Sequence, residues 1–331
     1  MTAKDVESVL KQFASQRALV IGDICLDRWC RYDPAEAEPS RETGIPRIAV
    51  LTTETTPGAG GTVANNLAAL GAGKVAVLGI LGDDGHGYEL RQALARRQID
   101  HSLCLFTREW NTFTYTKLLN RETGAEDKPR VDFINTAPLP THLEEQFLVR
   151  FRQAAPTFDV ILVSDQAETG AGGVVTEAVR NEIAHFARSS PATVVWVDSR
   201  RRPELFRGVI VKPNEEEAAE ACLRALGRVD YVQLQALIGG PLLVVTLGPK
   251  GAVIVQDGQQ SWIPTHPVEH PVDICGAGDS FSAGAALAFS VCRNAAWAVT
   301  LGNLVASVTI MKKGTGTATP DEVQEAARRL L

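Results

Sequence analysis

Residues 271–281 read PVDICGAGDSF, and their types and spacing suit one kind of chemistry. Gly276 and Gly278 allow close backbone approach, and the small residues over 282–288 predict a helix starting there. A glycine turn opening a helix points unpaired N–H groups, reinforced by the helix dipole, at whatever lies in front of it. Such a turn binds phosphate. Asp279 adds a negative charge that would repel phosphate unless it has a separate job, and taking the proton of an attacking hydroxyl is that job.

The elements that must position this stretch follow from the hydrophobic pattern. The apolar run 18–21 reads as a buried strand ending in Gly22-Asp23, which places Asp23 and Asp27 at a strand exit, where ligands of open parallel sheets bind. Further β-rich runs at 160–163, 194–197, 209–211, 242–246 and 252–255, with helical stretches between several of them, predict a mostly parallel sheet covered by helices on both faces. The last two of these runs, joined across 247–251, read as a hairpin on the sheet edge. Pro57-Gly58-Ala59-Gly60-Gly61 opens a helix with the stripe Val63, Leu67 and Leu70, and Gly71 stops it. Two segments, about 28–56 and 106–135, are more polar and carry extended runs. If they pair, a small sheet would stand over the strand ends as a lid that excludes water.

Composition narrows the partners. The 331 residues, with 45% hydrophobic and 22% charged side chains, describe an ordinary globular protein, read as one domain over 1–331, and a net charge of −6 gives no footprint for nucleic acid or an anionic membrane. The first 17 residues lack a signal-peptide core and no apolar run reaches the length of a membrane span, so a cytoplasmic protein with a small-molecule ligand is expected. The six cysteines are scattered without a C-x-x-C pair, which argues against zinc and against a disulfide framework. Asn214 and Glu217 sit one helical turn apart, a spacing that suits either a metal-organising pair or an N-cap followed by first-turn acids.

Asp273, the glycine turn and Asp279 together match D-x-x-G-A-G-D-x-F, and on these residues the chain resembles the ribokinase, or PfkB, family of sugar kinases. The likeness spans nearly the whole length. It takes in Gly22, Asp23 and Asp27, the helix opened at Gly58, Asn214-x-x-Glu217 and Thr246-Leu247-Gly248, in the family's order. The resemblance implies a three-layer α/β/α fold with a β lid, and ATP-dependent transfer to a sugar hydroxyl. Asp279 would be the base, and the backbone of Gly276, Ala277 and Gly278 would hold the developing charge. It further implies that Asn214 and Glu217 organise Mg²⁺ through water, and that Thr246, Gly248 and Asp273 serve the nucleotide. Asp23, Asp27, Gly58, Thr62 and Asp165 would serve the sugar. A monovalent cation and a homodimer clasped through the lid are further implications.

Within the family the likeness is to the heptose-phosphate kinases, carried by residues 22–28, Ser40-x-Glu42, 116–118, 130–133 and 313–317. Relatives occur fused to nucleotidyltransferases, and with no such half after Leu331 a kinase standing alone is expected. The departures concern the substrate. Thr62 stands where relatives carry asparagine, Glu168 replaces a lysine before glycine, Leu119 an arginine, and Ile274 the threonine ahead of the turn. They motivate a second reading, a sugar- or nucleotide-binding regulator that kept the fold. A nicotinamide-dependent dehydrogenase shares the sheet class but needs G-x-G-x-x-G after the first strand, which this chain lacks.

Overall fold

The structure, a computed structural model, describes residues 1–167, 169 and 171–331. In chain order its strands are β1 (Arg17–Gly22), β2 (Ile24–Tyr32), β3 (Val50–Ala59), β4 (Lys74–Leu78), β5 (Ile80–Gly82), β6 (Leu105–Thr107), β7 (Thr114–Asn120), β8 (Val131–Phe133), β9 (Val160–Asp165), β10 (Val194–Ser199), β11 (Ile210–Val211), β12 (Leu243–Thr246), β13 (Ala252–Gln256) and β14 (Gln259–Ile263).

The main sheet has the order β14-β13-β12-β11-β10-β9-β1-β4. It is parallel from β4 to β12, and β13 and β14 run antiparallel at the far edge. Because successive side chains point to opposite faces, a strand buried on both sides must be apolar throughout. Val20, Leu162, Trp196 and Val244 pack into one core, with helices Gly60–Ala69, Ala277–Cys292 and Ala295–Thr309. Their neighbours Ile21, Val163, Val197 and Val245 pack into the other, with helices Thr141–Ala154, Glu177–Ser189 and Glu215–Leu226. This is the three-layer α/β/α arrangement. The edge differs from the predicted hairpin by one strand: β14 pairs outside β13. Its sequence QQSWI is nearly all exposed and carries no apolar run to mark it.

Small residues in helix Ala277–Cys292 have a packing reason. A Cβ added at Gly284 would lie 2.7 Å from Val305, and one at Gly302 would lie 3.0 Å from the Phe281 ring, so the two C-terminal helices approach too closely for larger side chains.

The second sheet, β3-β2-β7-β8, is built from the two inserted segments. β2 leaves the end of β1 through Gly22, whose φ of +111 suits glycine, and pairs antiparallel with β3 and parallel with β7. β3 runs back to the core and ends at Ala59, directly before helix Gly60–Ala69.

Candidate functional site

A cavity of about 170 Å³ lies between the two sheets. The small sheet contributes Asp27, Arg28 and Trp29 from β2 and Tyr115 and Lys117 from β7, with Arg130 next to β8. The end of β3 and the helix that follows it contribute Ala59 and Thr62, loops after main-sheet strands contribute Gln166 and Arg200, and the glycine turn contributes Cys275, Gly276 and Asp279, facing Thr315. The structure therefore gathers Asp27, Thr62, Gly276 and Asp279 from the predicted set into one chamber.

Asp27 explains Gly58. The carboxylate of Asp27 lies over the backbone of Gly58 and fills the space a Cβ would need. Burial pushes the Asp27 carboxyl up to about 6, Lys117 and Arg130 act to lower it, and Asp132 raises it. Thr62 donates its hydroxyl to the Pro57 carbonyl at 3.2 Å, and its methyl is turned to the glycine turn, 3.2 Å from where a Gly276 Cβ would stand. Its oxygen can still accept a hydrogen bond, but not do the double duty of an asparagine amide. Ala59 has φ 48 and ψ −120, a backbone conformation an L-residue adopts only under strain, at the junction of β3 and the helix.

The turn is organised as helix physics requires. Gly276 adopts φ 77 and ψ 8 as the N-cap of helix Ala277–Cys292. The amide of Ala277 is taken by the Ile274 carbonyl at 3.2 Å, so its N–H does not join the anion site. The amides of Gly278 and Asp279 find no acceptor within the helix and are free to meet an anion in front of it. Asp279, partly exposed to the cavity and otherwise enclosed, has its carboxyl pushed up to about 8, chiefly by burial and then by Asp198. Lys212 and Arg200 counteract this, and Asp27 adds to it. A carboxylate poised near neutrality suits a general base.

Beside the turn stands a pair absent from the predicted set. Lys212, 3% exposed after β11, sits 2.7 Å from Asp198 at the end of β10, and Asp198 also accepts from Ser282 at 3.2 Å. The pair adjoins Asn214, Glu217 and Thr246 at the ends of β11 and β12. The amide of Thr246 donates to the Pro213 carbonyl, and Asn214 bridges to Thr246. Asn214 and Glu217 form a reciprocal capping box, each side chain accepting the other's backbone N–H at 2.8 Å. The capping alternative is thus realised, and it leaves the second Glu217 oxygen available. Burial and then Asp198 raise the Glu217 carboxyl. Gly248 lies beyond, in the positive-φ region at φ 58, where the chain turns towards β13.

Three predicted residues are tied into the scaffold. Asp23, 1% exposed, accepts three backbone amides at 2.9 Å, from Gln166, Ala167 and Val174, and so fixes the loop after β9. Asp165 is buried against Arg202 at 2.5 Å and accepts from Ser199 at 2.6 Å, and neither Asp23 nor Asp165 lines the cavity. Asp273 accepts from the amides of Cys275 at 2.9 Å and Gly314 at 3.1 Å, joining the glycine turn to the 313–317 turn. All six cysteines are free thiols, four of them buried. Glu168 lies outside the described residues. The cavity cations Lys117, Arg130 and Arg200 escaped the site prediction because three separate elements deliver them.

A helix opened by a glycine turn, a half-buried carboxylate and a cation-lined chamber at the carboxyl ends of a parallel sheet are the arrangement that a phosphotransferase acting on small molecules would use. The fold is similar to that of ribokinase from Thermotoga maritima (TM-score 0.69, 19% identity, 94% of this chain and 99% of that one). It is also similar to that of phosphofructokinase-2 from Escherichia coli in complex with potassium (TM-score 0.72, 19% identity, 95% and 99%). Residues 16–322 match the pfkB family of carbohydrate kinases, and the chain belongs to that family. Curated relatives named bifunctional protein HldE, from Rhodopseudomonas palustris strain BisB18 (30% identity over 97% of this chain) and Trichlorobacter lovleyi (29% over 98%), support the heptose-phosphate kinase branch. The chain spans 65% of the length of each. Among the described residues no helix is long and apolar enough to cross a membrane.

Proposed function

We propose that this carbohydrate kinase moves the γ-phosphoryl group of ATP to a hydroxyl of a sugar phosphate, with Asp279 as general base. One observation carries the reading: Asp279 opens into a chamber whose wall, among the described residues, holds the cations Arg28, Lys117, Arg130 and Arg200 against the two acids Asp27 and Asp279. A neutral sugar needs hydroxyl acceptors and donors, whereas that excess of positive charge suits an acceptor already carrying phosphate. Arg28, Lys117 and Arg130 are paired at 3.1, 3.7 and 2.7 Å with Glu89, Glu126 and Asp132, none of which lines the chamber. Their charge is thereby held in place without closing the cavity.

Asp27, at the opposite side, accepts hydroxyls of the sugar and orients the attacking one towards Asp279. Asp279 takes that hydroxyl's proton as the oxygen–phosphorus bond forms, and the amides of Gly278 and Asp279, with that of Gly276, hold the charge of the transferring group. Thr246 and Gly248 lie on the nucleotide side. Asn214 and Glu217 fit Mg²⁺ bound through water: their donors are oxygens, and one Glu217 oxygen remains after the capping box. When bound, that ion neutralises phosphate charge. The small sheet closes over the chamber and excludes water.

Apolar side chains left exposed on the small sheet and its flanks, among them Leu51 at 50% and Val131 at 47%, support pairing of two copies through this sheet, which sedimentation of the purified chain reads directly. A cytoplasmic location and activation by a monovalent cation complete the proposal, the latter tested by exchanging K⁺ for choline. Assay of ATP-dependent product formation across sugars and sugar phosphates decides between this reading and a binding-only regulator. Turnover with phosphorylated acceptors supports it, and binding of both ligands without turnover supports the regulator.

A further inference from the structure

The kinase reading leaves one buried cation unassigned. Lys212 is held from three sides: its amide donates to the Val197 carbonyl at 2.8 Å, its ammonium lies 2.7 Å from Asp198, and Asp198 is itself fixed by Ser282 at 3.2 Å and approached by the Gln166 amide at 3.4 Å. A Cβ built on Gly278 would rest 3.4 Å from the Lys212 ammonium, so this charge stands against the anion-binding turn itself. An ammonium has three protons, and the pair with Asp198 uses one.

Burying a lysine against a carboxylate, Asp198, with Glu217 and Asp279 close enough to act on it, is a poor way to stabilise a fold, because the desolvation of the ions offsets their attraction. A buried cation beside the amides that meet a transferring phosphate has a use, since fixed charge in an enclosed site favours the transition state without reorganisation. Lys212 also feels the charge of both Glu217, in the capping box with Asn214, and Asp279, on the glycine-turn helix.

We propose, building on the kinase reading, that Lys212 is a catalytic residue whose ammonium contacts the γ-phosphoryl group in transit, with Asp198 as its positioning residue. In the step, the acceptor oxygen bonds to phosphorus and the bond from phosphorus to the β,γ-bridging oxygen breaks. ADP leaves with that electron pair, the hydroxyl proton passes to Asp279, and Lys212 keeps its protons throughout.

The test uses the full chain and the double variant Lys212→Met/Asp198→Asn, which removes both charges and so avoids stranding a buried carboxylate. Calorimetric titration with MgATP and with MgADP will show the wild type preferring MgATP, and the double variant losing that preference by about 10- to 100-fold at an unchanged MgADP affinity. With an acceptor, kcat will fall by about 10²- to 10³-fold while the acceptor KM stays within about threefold. A folded double variant that keeps the MgATP preference and a kcat within about threefold of wild type would overturn the proposal and leave the kinase reading standing. A wild type that binds neither nucleotide would overturn both.

Discussion

Replacing Asp279 by asparagine will make the protein more stable at alkaline pH while removing nearly all transfer. The carboxyl is raised from 3.8 to about 8, first by burial and then by Asp198. The folded state therefore keeps a proton that the unfolded chain gives up anywhere between these two values, and wild-type stability falls as pH rises through that window. At about 1.4 kcal/mol per pH unit the full shift sets a ceiling near 6 kcal/mol. Water in the cleft reaches the outer edge of the carboxylate and screens its charge, which brings the effect to about 1–3 kcal/mol. Asparagine carries no charge at any pH in the window, so the variant's advantage will be small at pH 5 and largest at pH 8.5, a difference in Tm of about 1.5–4 °C for a chain of this size. The assay is thermal unfolding of both proteins across that range, in which the titrating groups remote from residue 279 cancel. A Tm difference that does not change with pH, or a variant less stable than wild type at pH 8.5, would refute the account of Asp279 as a charge held at a cost. Over the same range kcat/KM of the wild type will rise with pH, half-maximal near 8 and levelling off above it as the base ionises, and the variant's kcat will be lower by about 10²- to 10⁴-fold.

Lys117→Met and Arg130→Met will each raise the KM for a phosphorylated acceptor by about tenfold while leaving the KM for the corresponding free sugar within about twofold, since each removes one cation from the chamber wall; equal effects on both would contradict the charge argument. Ala59→Gly will relieve the φ 48, ψ −120 conformation and stabilise the fold by about 1 kcal/mol net of the freedom glycine adds to the unfolded chain, measured by denaturant unfolding; a variant less stable than wild type would contradict the strain.

The parts of this site that could be read from the sequence are those where backbone geometry dictates the residue. The glycine turn, Gly58 beneath Asp27 and the glycine at the exit of β1 are each demanded by a close approach or a positive φ, and a single stretch of chain displays them. The parallel sheet was legible for a similar reason: strands buried on both faces must be continuous apolar runs, whereas the exposed QQSWI of β14 leaves no such trace. What the sequence could not display was proximity between distant segments. Asp198 and Lys212 meet only because β10 and β11 are parallel neighbours, with Trp196 opposite Ile210 and Val197 opposite Val211, so that both side chains emerge at the same end. Lys117 and Arg130 gain their place from the β7–β8 pairing in the same way. Asp23 shows the opposite limit. Its place at a strand exit was readable, but its three amide donors come from residues 166, 167 and 174, and these turn a candidate ligand contact into a brace for the loop.

The central claim, that the chain transfers a phosphoryl group from ATP to a phosphorylated sugar with Asp279 as general base, is tested most directly by ³¹P NMR of the purified chain incubated with MgATP and a panel of sugar phosphates. The account predicts ADP together with a product carrying two phosphorus resonances, one new, from at least one sugar phosphate, and no such product with Asp279→Asn. ADP without a phosphorylated product, a product from free sugars only, or a product formed equally by the variant would contradict it.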